Sequence, residues 1–432
     1  MDSIRRGALI NLGTRLFAVA LGLLITLYTA RLGAAQQGAF ALFTAVEAVL
    51  LALTSGFGVA IARRLSHHGQ SPAGLVGAAL VVCVLLGLLT AAALGLIARL
   101  PLGNAPGYNH LWLLAFAAPL LFVTPNLAGL WLGSARMAGL ARLTVAAPLL
   151  TLAGIALAAA FSQPPALMTV LFAWVGARLI VALGALIASL RAGWIGRPDL
   201  PLLSTQARFV IVIGATNFIG LLNYKVDLFL VERFLGLGPT GVYSIAVMVA
   251  ELLWLVSSSV TTAAYAHIGT PDAAEASRIT VRALHASVLL LAALCPALWL
   301  SAALVVPWLL GPAYTPSLLA LAVLLPGVAV YGGASALSAW FTNHAGRPAV
   351  PALLASVSLL INITVSLLMI PRLGMLGGAL ATTLSYLVAV ALGAWLFARA
   401  SGSSLRALAK PDWPALIADL QRLRRAITPA RK

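Results

Sequence analysis

Six ionisable residues stand inside long apolar stretches of the chain: Arg15, Glu47, Arg178, Lys225, Asp227 and Glu251. Placing a charge in hydrocarbon costs about 2–3 kcal/mol or more, so each needs a partner, a watery cavity or a function. Three are cations and three are carboxylates, and two readings follow. In the first, the charges pair with one another and hold the fold. In the second, Arg15, Arg178 and Lys225, with Asn223, line a central cavity and bind an anionic group such as a phosphate or pyrophosphate. Glu47, Asp227 and Glu251 then carry a coupling ion, because desolvation favours the protonated carboxyl. Lys225 and Asp227 are two residues apart, about 200° around a helix, so they cannot pair with each other. Asn223 and Asp227, four apart, share a face. Arg178 sits mid-stretch in WVGARLIVAL, far from either surface, whereas Arg15 is near enough to a membrane face to reach headgroups.

The stretches that hold these residues are long enough to cross a bilayer. Lys and Arg number 27 and Asp and Glu only 10 in 432 residues, and hydrophobic residues make up 62%. A run of about 20 apolar residues spans the hydrocarbon as a helix, since lipid offers no partner to bare backbone groups. Twelve such runs are expected, near 8–31, 38–61, 73–98, 110–132, 140–161, 166–190, 208–231, 240–264, 283–306, 316–340, 349–370 and 376–398. The chain therefore reads as an all-α integral membrane protein. Arg5 and Arg6 ahead of the first run resemble the start of a secretory leader. That run is too long for one and Arg15 interrupts it, so an uncleaved first span is expected.

The basic residues set the expected orientation. With the N-terminus in the cytoplasm, most Lys and Arg fall on the cytoplasmic side, and only Arg31, Arg99, Arg233 and Arg372 fall opposite. Both termini are then cytoplasmic. The net charge of +17 flanks the spans instead of forming one basic face, which argues against a nucleic-acid partner. In the tail, Trp413, Leu416, Ile417, Leu420, Leu423 and Ile427 recur at helical spacing beside Arg422, Arg424 and Arg425. This predicts an amphipathic helix lying on an anionic leaflet. Cys83 and Cys295 lie inside spans as small apolar residues, and His67-His68 lack metal spacing, so neither a metal nor a cofactor is expected.

The two halves repeat. ARLGAAQQGAFAL from Ala30 and RFLGLGPTGVYSI from Arg233 each carry Leu-Gly, a second Gly five residues on, and an aromatic two further. The matched positions are Gly33, Gly38 and Phe40 against Gly236, Gly241 and Tyr243, followed by Glu47 and Glu251. Six spans separate them, so both halves enter the membrane from the same side as a parallel repeat. The expected division is an N-terminal six-helix lobe over 1–195, a linker at 196–207, a C-terminal six-helix lobe over 208–400 and a basic tail over 401–432. Pro119 and Pro125 should interrupt span four, and Pro326-Gly327 should loosen span ten.

From Asn223 to Trp254 the chain resembles bacterial polysaccharide flippases of the Wzx type, through Asn223, Asp227, Leu235-Gly236, Gly241, Tyr243, Glu251 and Trp254. Asn362, Pro371, Gly374, Gly377 and Gly378 are similar to that family's penultimate connection, and RLGAAQQGAFAL also fits. The resemblance implies two six-helix bundles in a V, the fold shared with multidrug extruders, and alternating access. It also implies translocation of an undecaprenyl-diphosphate-linked oligosaccharide across a bacterial inner membrane for surface polysaccharide. Membrane lipids, a coupling proton or sodium ion and polysaccharide polymerase or assembly proteins would be its partners. Cavity arginines, here Arg15 and Arg178, would hold the diphosphate.

Three other classes compete. An ion-coupled small-molecule exporter of the same fold would have a compact apolar or acidic pocket. A major-facilitator carrier usually shows a Gly-Arg-Arg/Lys pattern after span two, where this chain has FGVAIARRLSHHGQ. A membrane glycosyltransferase or polymerase usually needs a large periplasmic loop, and no loop on that side exceeds about a dozen residues. No Walker lysine loop, nucleophile elbow or metal box is present in the sequence, so transport is favoured over catalysis.

Overall fold

Apolar runs of this length leave the backbone no partner but itself, and helices follow. The computed structural model describes residues 2–68, 71–97, 99, 107–161 and 166–410. Among these, twelve helical stretches are long and apolar enough to cross a membrane, the number expected. Several outlast their apolar runs because the hydrogen-bond ladder continues into water once it is capped. The helix expected from 208 begins at Leu200, where the Asp199 side chain accepts from the Leu202 N–H. The one expected from 283 begins at Ala273, where Asp272 accepts from Ala274. The amphipathic tail predicted beyond Lys410 lies outside the described residues.

The chain forms two compact units, Met1–Val242 and Tyr243–Lys432. The first contains α1 (Asp2–Arg31), α2 (Ala34–His68), α3 (Ala73–Ile97), α4 (Trp112–Leu121), α5 (Val123–Gly133), α6 (Met137–Phe161), α7 (Leu167–Arg191) and α8 (Leu200–Leu235). It also contains the first turns of α9 (Leu237–Glu251). Helix α2 is its spine, packed on α5 along one side and on α8 along another. Two apolar clusters fill the unit at different depths. One gathers Phe40, Phe43, Leu114, Leu121 and Leu171; the other gathers Phe57, Ile61, Leu75, Leu127 and Trp131.

The prolines of span four act as expected. The span divides at Phe122 into α4 and α5, Pro119 lies in α4, and Asn126 turns back to donate to the Phe122 carbonyl and to the Cys83 sulfur. Gly87 on α3 admits Pro119, since a Cβ there would stand 2.4 Å from its Cα. The segment before α8 is docked on the start of α3, where the Gly196 N–H donates to the Ala73 carbonyl and the Asp199 N–H to that of Gly74.

Both glycines of the repeated Leu-Gly turns adopt positive φ, 125° at Gly33 and 80° at Gly236, where a side chain would be strained. Their partners five residues on meet each other. A Cβ on Gly38 would stand 2.1 Å from the Leu237 carbonyl oxygen, and one on Gly241 would stand 1.9 Å from that of Ala34. The repeat read from sequence is thus a backbone-to-backbone contact of its two copies. Tyr108 braces this end by donating to a Glu232 carboxylate oxygen at 2.9 Å. Burial, reinforced by the Glu232 charge, holds the Tyr108 phenol well above its usual range. A raised phenol pKa favours the protonated folded form, so the contact persists until the pH passes that raised value. Tyr108→Phe should therefore lower thermal stability by about 1 kcal/mol. The difference from wild type should stay constant between about pH 6 and 9, below the ordinary phenol pKa.

The second unit contains α10 (Leu253–Ile268), α11 (Ala273–Leu310), α12 (Ser317–Gly333), α13 (Ser335–Ala339), α14 (Ala349–Leu373), α15 (Met375–Ser401) and α16 (Leu405–Ala409). Its core joins Ile268, Leu284, Leu337, Trp340, Phe341 and Phe397. The loosening expected at Pro326-Gly327 is found elsewhere. Helix α12 continues through Pro326, and the span breaks at Ala334, with one π-helical turn at Trp340–His344. Gly327 instead lets α15 approach, since a Cβ there would lie 2.6 Å from the Thr383 Cα. A buried polar seam joins α14 to α15: Ser366 donates to Asn362, and Asn362 to Thr382 at 3.3 Å.

Candidate functional site

The two apolar clusters of the first unit flank a charged layer. Glu47 projects from α2 and Arg178 from α7, and they form an ion pair through Oε1 and Nε. The other carboxylate oxygen accepts from the Trp174 indole N–H at 2.7 Å. Trp174 precedes Arg178 by one helical turn, so both reach the same side of α7. The guanidinium lies 3.5 Å from the centre of the Trp174 ring and also donates to the Trp174 carbonyl. The Trp174 ring meets Phe40 edge to face at 5.1 Å. One tryptophan thus holds both charges: its N–H fixes the anion, its face covers the cation.

This pair borders a cavity of about 260 Å³ inside the bundle. Its walls are Glu47 and Leu51 of α2, Leu121, Thr124, Pro125 and Ala128 of the broken span four, Leu140, Leu143, Thr144 and Ala147 of α6, and Arg178 and Val181 of α7. The break in span four makes the space, because Pro125 cannot donate to the Leu121 carbonyl and the wall bends there. The two charges differ in exposure. Both line the cavity, but the Glu47 side chain is only 4% exposed while that of Arg178 is 21% exposed. A desolvated ion pair with one accessible partner can exchange it for a ligand group or a proton.

The remaining residues named from sequence are dispersed. Arg15 is exposed on α1. Asn223 and Asp227 share a buried face of α8, as their spacing required. Asp227 accepts from the Leu228 N–H, whereas neither amide atom of Asn223 has a hydrogen-bond partner among the described residues. Lys225 is half-buried on α8. Glu251 is half-buried in the second unit, at the last turn of α9, while its repeat counterpart Glu47 sits within an unbroken helix. Among the described residues, no group of three His, Cys, Asp or Glu is placed to hold a metal. Trp174, Thr124 and Thr144 were not singled out from the sequence. For Trp174 the available signal was its four-residue spacing from a membrane arginine.

No family model and no curated protein matches the chain. Solved structures do. An inward-facing multidrug resistance MATE family transporter of the MOP superfamily superposes with a TM-score of 0.73 at 16% identity, covering 91% of this chain and 96% of that one. This chain has the MATE transporter fold. An outward-facing structure of such a transporter gives 0.67 at 17% identity over 93% and 96% of the two chains. A Vibrio cholerae MATE transporter gives 0.65 at 15% identity over 95% and 98%. The MATE fold and the twelve spans make this a multi-pass membrane protein.

Proposed function

We propose that the protein is a membrane transporter that exports a small amphipathic molecule by alternating access, coupled to an ion. The observation that carries this reading is the compact, largely apolar cavity with the Arg178–Glu47 pair in its wall. At about 260 Å³ it lies just below the range of about 300–1,000 Å³ usual for small-ligand sites. The fold supports the reading too, since both inward-facing and outward-facing MATE transporters superpose on the chain. In this mechanism a proton neutralises Glu47 and breaks the pair, freeing Arg178 for an acidic or hydrogen-bonding group of the substrate. Loss of the proton to the other side restores the pair and expels the substrate. Asp227 and Glu251 are the further ion-coupling candidates, and Arg15, Lys225 and Asn223 the further binding candidates. The test is efflux from proteoliposomes under an imposed pH gradient. Wild type should empty a panel of amphipathic dyes in a gradient-dependent way, and Glu47→Gln should uncouple efflux from the gradient.

A second reading is favoured by the sequence between Asn223 and Trp254, which resembles Wzx-type flippases. On it, the substrate is an undecaprenyl-diphosphate-linked oligosaccharide carried from the cytoplasmic to the periplasmic leaflet, alongside polysaccharide assembly proteins. Deletion should then cause lipid-linked glycan to accumulate and surface polymer to disappear, and absence of both removes this reading. Either way, we place the protein in the inner membrane with both termini cytoplasmic, on the distribution of its arginines. We also assign its lobes to 1–195 and 208–400. A C-terminal alkaline phosphatase fusion should be inactive and a fluorescent-protein fusion bright.

A further inference from the structure

The second unit has a groove that the transport reading does not use. It lies between α11 and α12, has a volume of about 430 Å³, and is lined by Val288, Ala292, Cys295, Pro296 and Trp299 on one side and Ala322, Leu325, Pro326, Ala329 and Val330 on the other. We propose that it holds one acyl chain of a bilayer phospholipid as a fixed component of the fold.

Three observations place lipid there. First, the groove falls at mid-membrane: Cys295 is near the middle of the apolar run 283–306, and Pro326 is near the middle of 316–340. Second, it is recessed in an exposed apolar surface. Ala292, Pro296, Ala322 and Pro326 are small or compact and exposed, so they form a floor. Leu290, Leu300 and Leu304 of α11 and Leu319 of α12 are exposed as well. Third, its polar side chains are spoken for. The Trp299 indole donates to the Leu318 carbonyl and the Cys295 thiol to that of Leu325, so neither side chain is left to hold water. A predominantly apolar recess at this depth, open to an exposed apolar surface, is filled by the lipid chains around it. Packing is what such an occupant gains over bulk lipid. The prolines explain why the hollow exists. Pro296 and Pro326 each remove one helical hydrogen bond and set compact rings on the two facing helices.

The test uses the full-length protein in vesicles of phosphatidylethanolamine and phosphatidylglycerol carrying a trace of phospholipid with a mid-chain diazirine. Photolabelled peptides are mapped by mass spectrometry. Label should concentrate on 288–299 and 322–330 above the level at other lipid-facing residues such as Leu367 and Leu368, which are exposed on α14. The variants Ala322→Leu and Ala329→Leu narrow the groove. Displacing about two methylene groups should lower its labelling about tenfold and leave Leu367 and Leu368 labelled as before. Three outcomes overturn the proposal. One is labelling no higher than at Leu367 and Leu368. Another is fast reaction of Cys295 with a membrane-impermeant thiol reagent in a Cys83→Ala background, which would make the groove aqueous. The third is oxidative dimerisation through Cys295, or displacement of the label by a polyprenyl phosphate, which would assign the groove to a second copy or to a carrier lipid.

Discussion

Arg178→Ala is expected to abolish transport and to destabilise the first unit by about 3–5 kcal/mol, the usual cost of leaving a buried charge without its partner. The size of the effect follows from the geometry. Glu47 is almost fully buried, and among the described residues the Trp174 N–H is its one partner besides Arg178. Removing the guanidinium also uncovers the face of Trp174. Glu47→Gln should be milder, because the amide oxygen still accepts from Trp174 and the unpaired cation reaches the cavity. Stability alone does not separate a structural pair from a working one. The double variant Glu47→Leu with Arg178→Leu does, since apolar residues of similar volume often replace a buried pair without loss. Its melting temperature should return to within a few degrees of wild type, with a ΔΔG below about 1.5 kcal/mol. Its transport should stay absent. A double variant that is stable and still exports substrate would reduce the pair to scaffolding.

The pairing explains what sequence could and could not reveal here. The twelve spans were legible because hydrocarbon imposes length and apolarity on each segment separately. The helix ends were less so, because caps such as Asp199 and Asp272 extend helices past the apolar boundary. Six membrane charges were visible as anomalies, yet nothing in a linear chain says that position 47 faces position 178. Trp174 was hidden for another reason: an aromatic residue in an apolar run looks like any other core residue. Its role appears only when its N–H is seen on a carboxylate. The cavity itself was half legible, since Pro125 announced a bend in span four but not which helices would line the space beside it.

Gly241→Ala should have the next largest effect, at a site with no chemistry. The added methyl would fall 1.9 Å from the Ala34 carbonyl oxygen and 2.9 Å from the Gly38 nitrogen, both backbone atoms that no rotamer change can move aside. Helix α2 and the first turn of α9 must therefore separate. Overpacking of this kind typically costs about 1–3 kcal/mol. Gly38→Ala meets the Leu237 carbonyl at 2.1 Å and should behave alike, as expected of repeat-related positions. Gly238→Ala is the control, since its Cβ would meet nothing within 4 Å. A thiol placed at the buried Ala41, in a background lacking Cys83 and Cys295, reports the separation. With Gly241→Ala it should react faster with a water-soluble maleimide, while Gly238→Ala leaves it protected. Equal protection in both would mean that the backbones absorb the methyl by a small slide, and that this end of α2 is not held by the glycine contact. If the thiol opens, the repeated glycines are the closure of this end of the unit. The duplication then has a mechanical reason: each copy supplies the hydrogen in place of a side chain that lets the other come near.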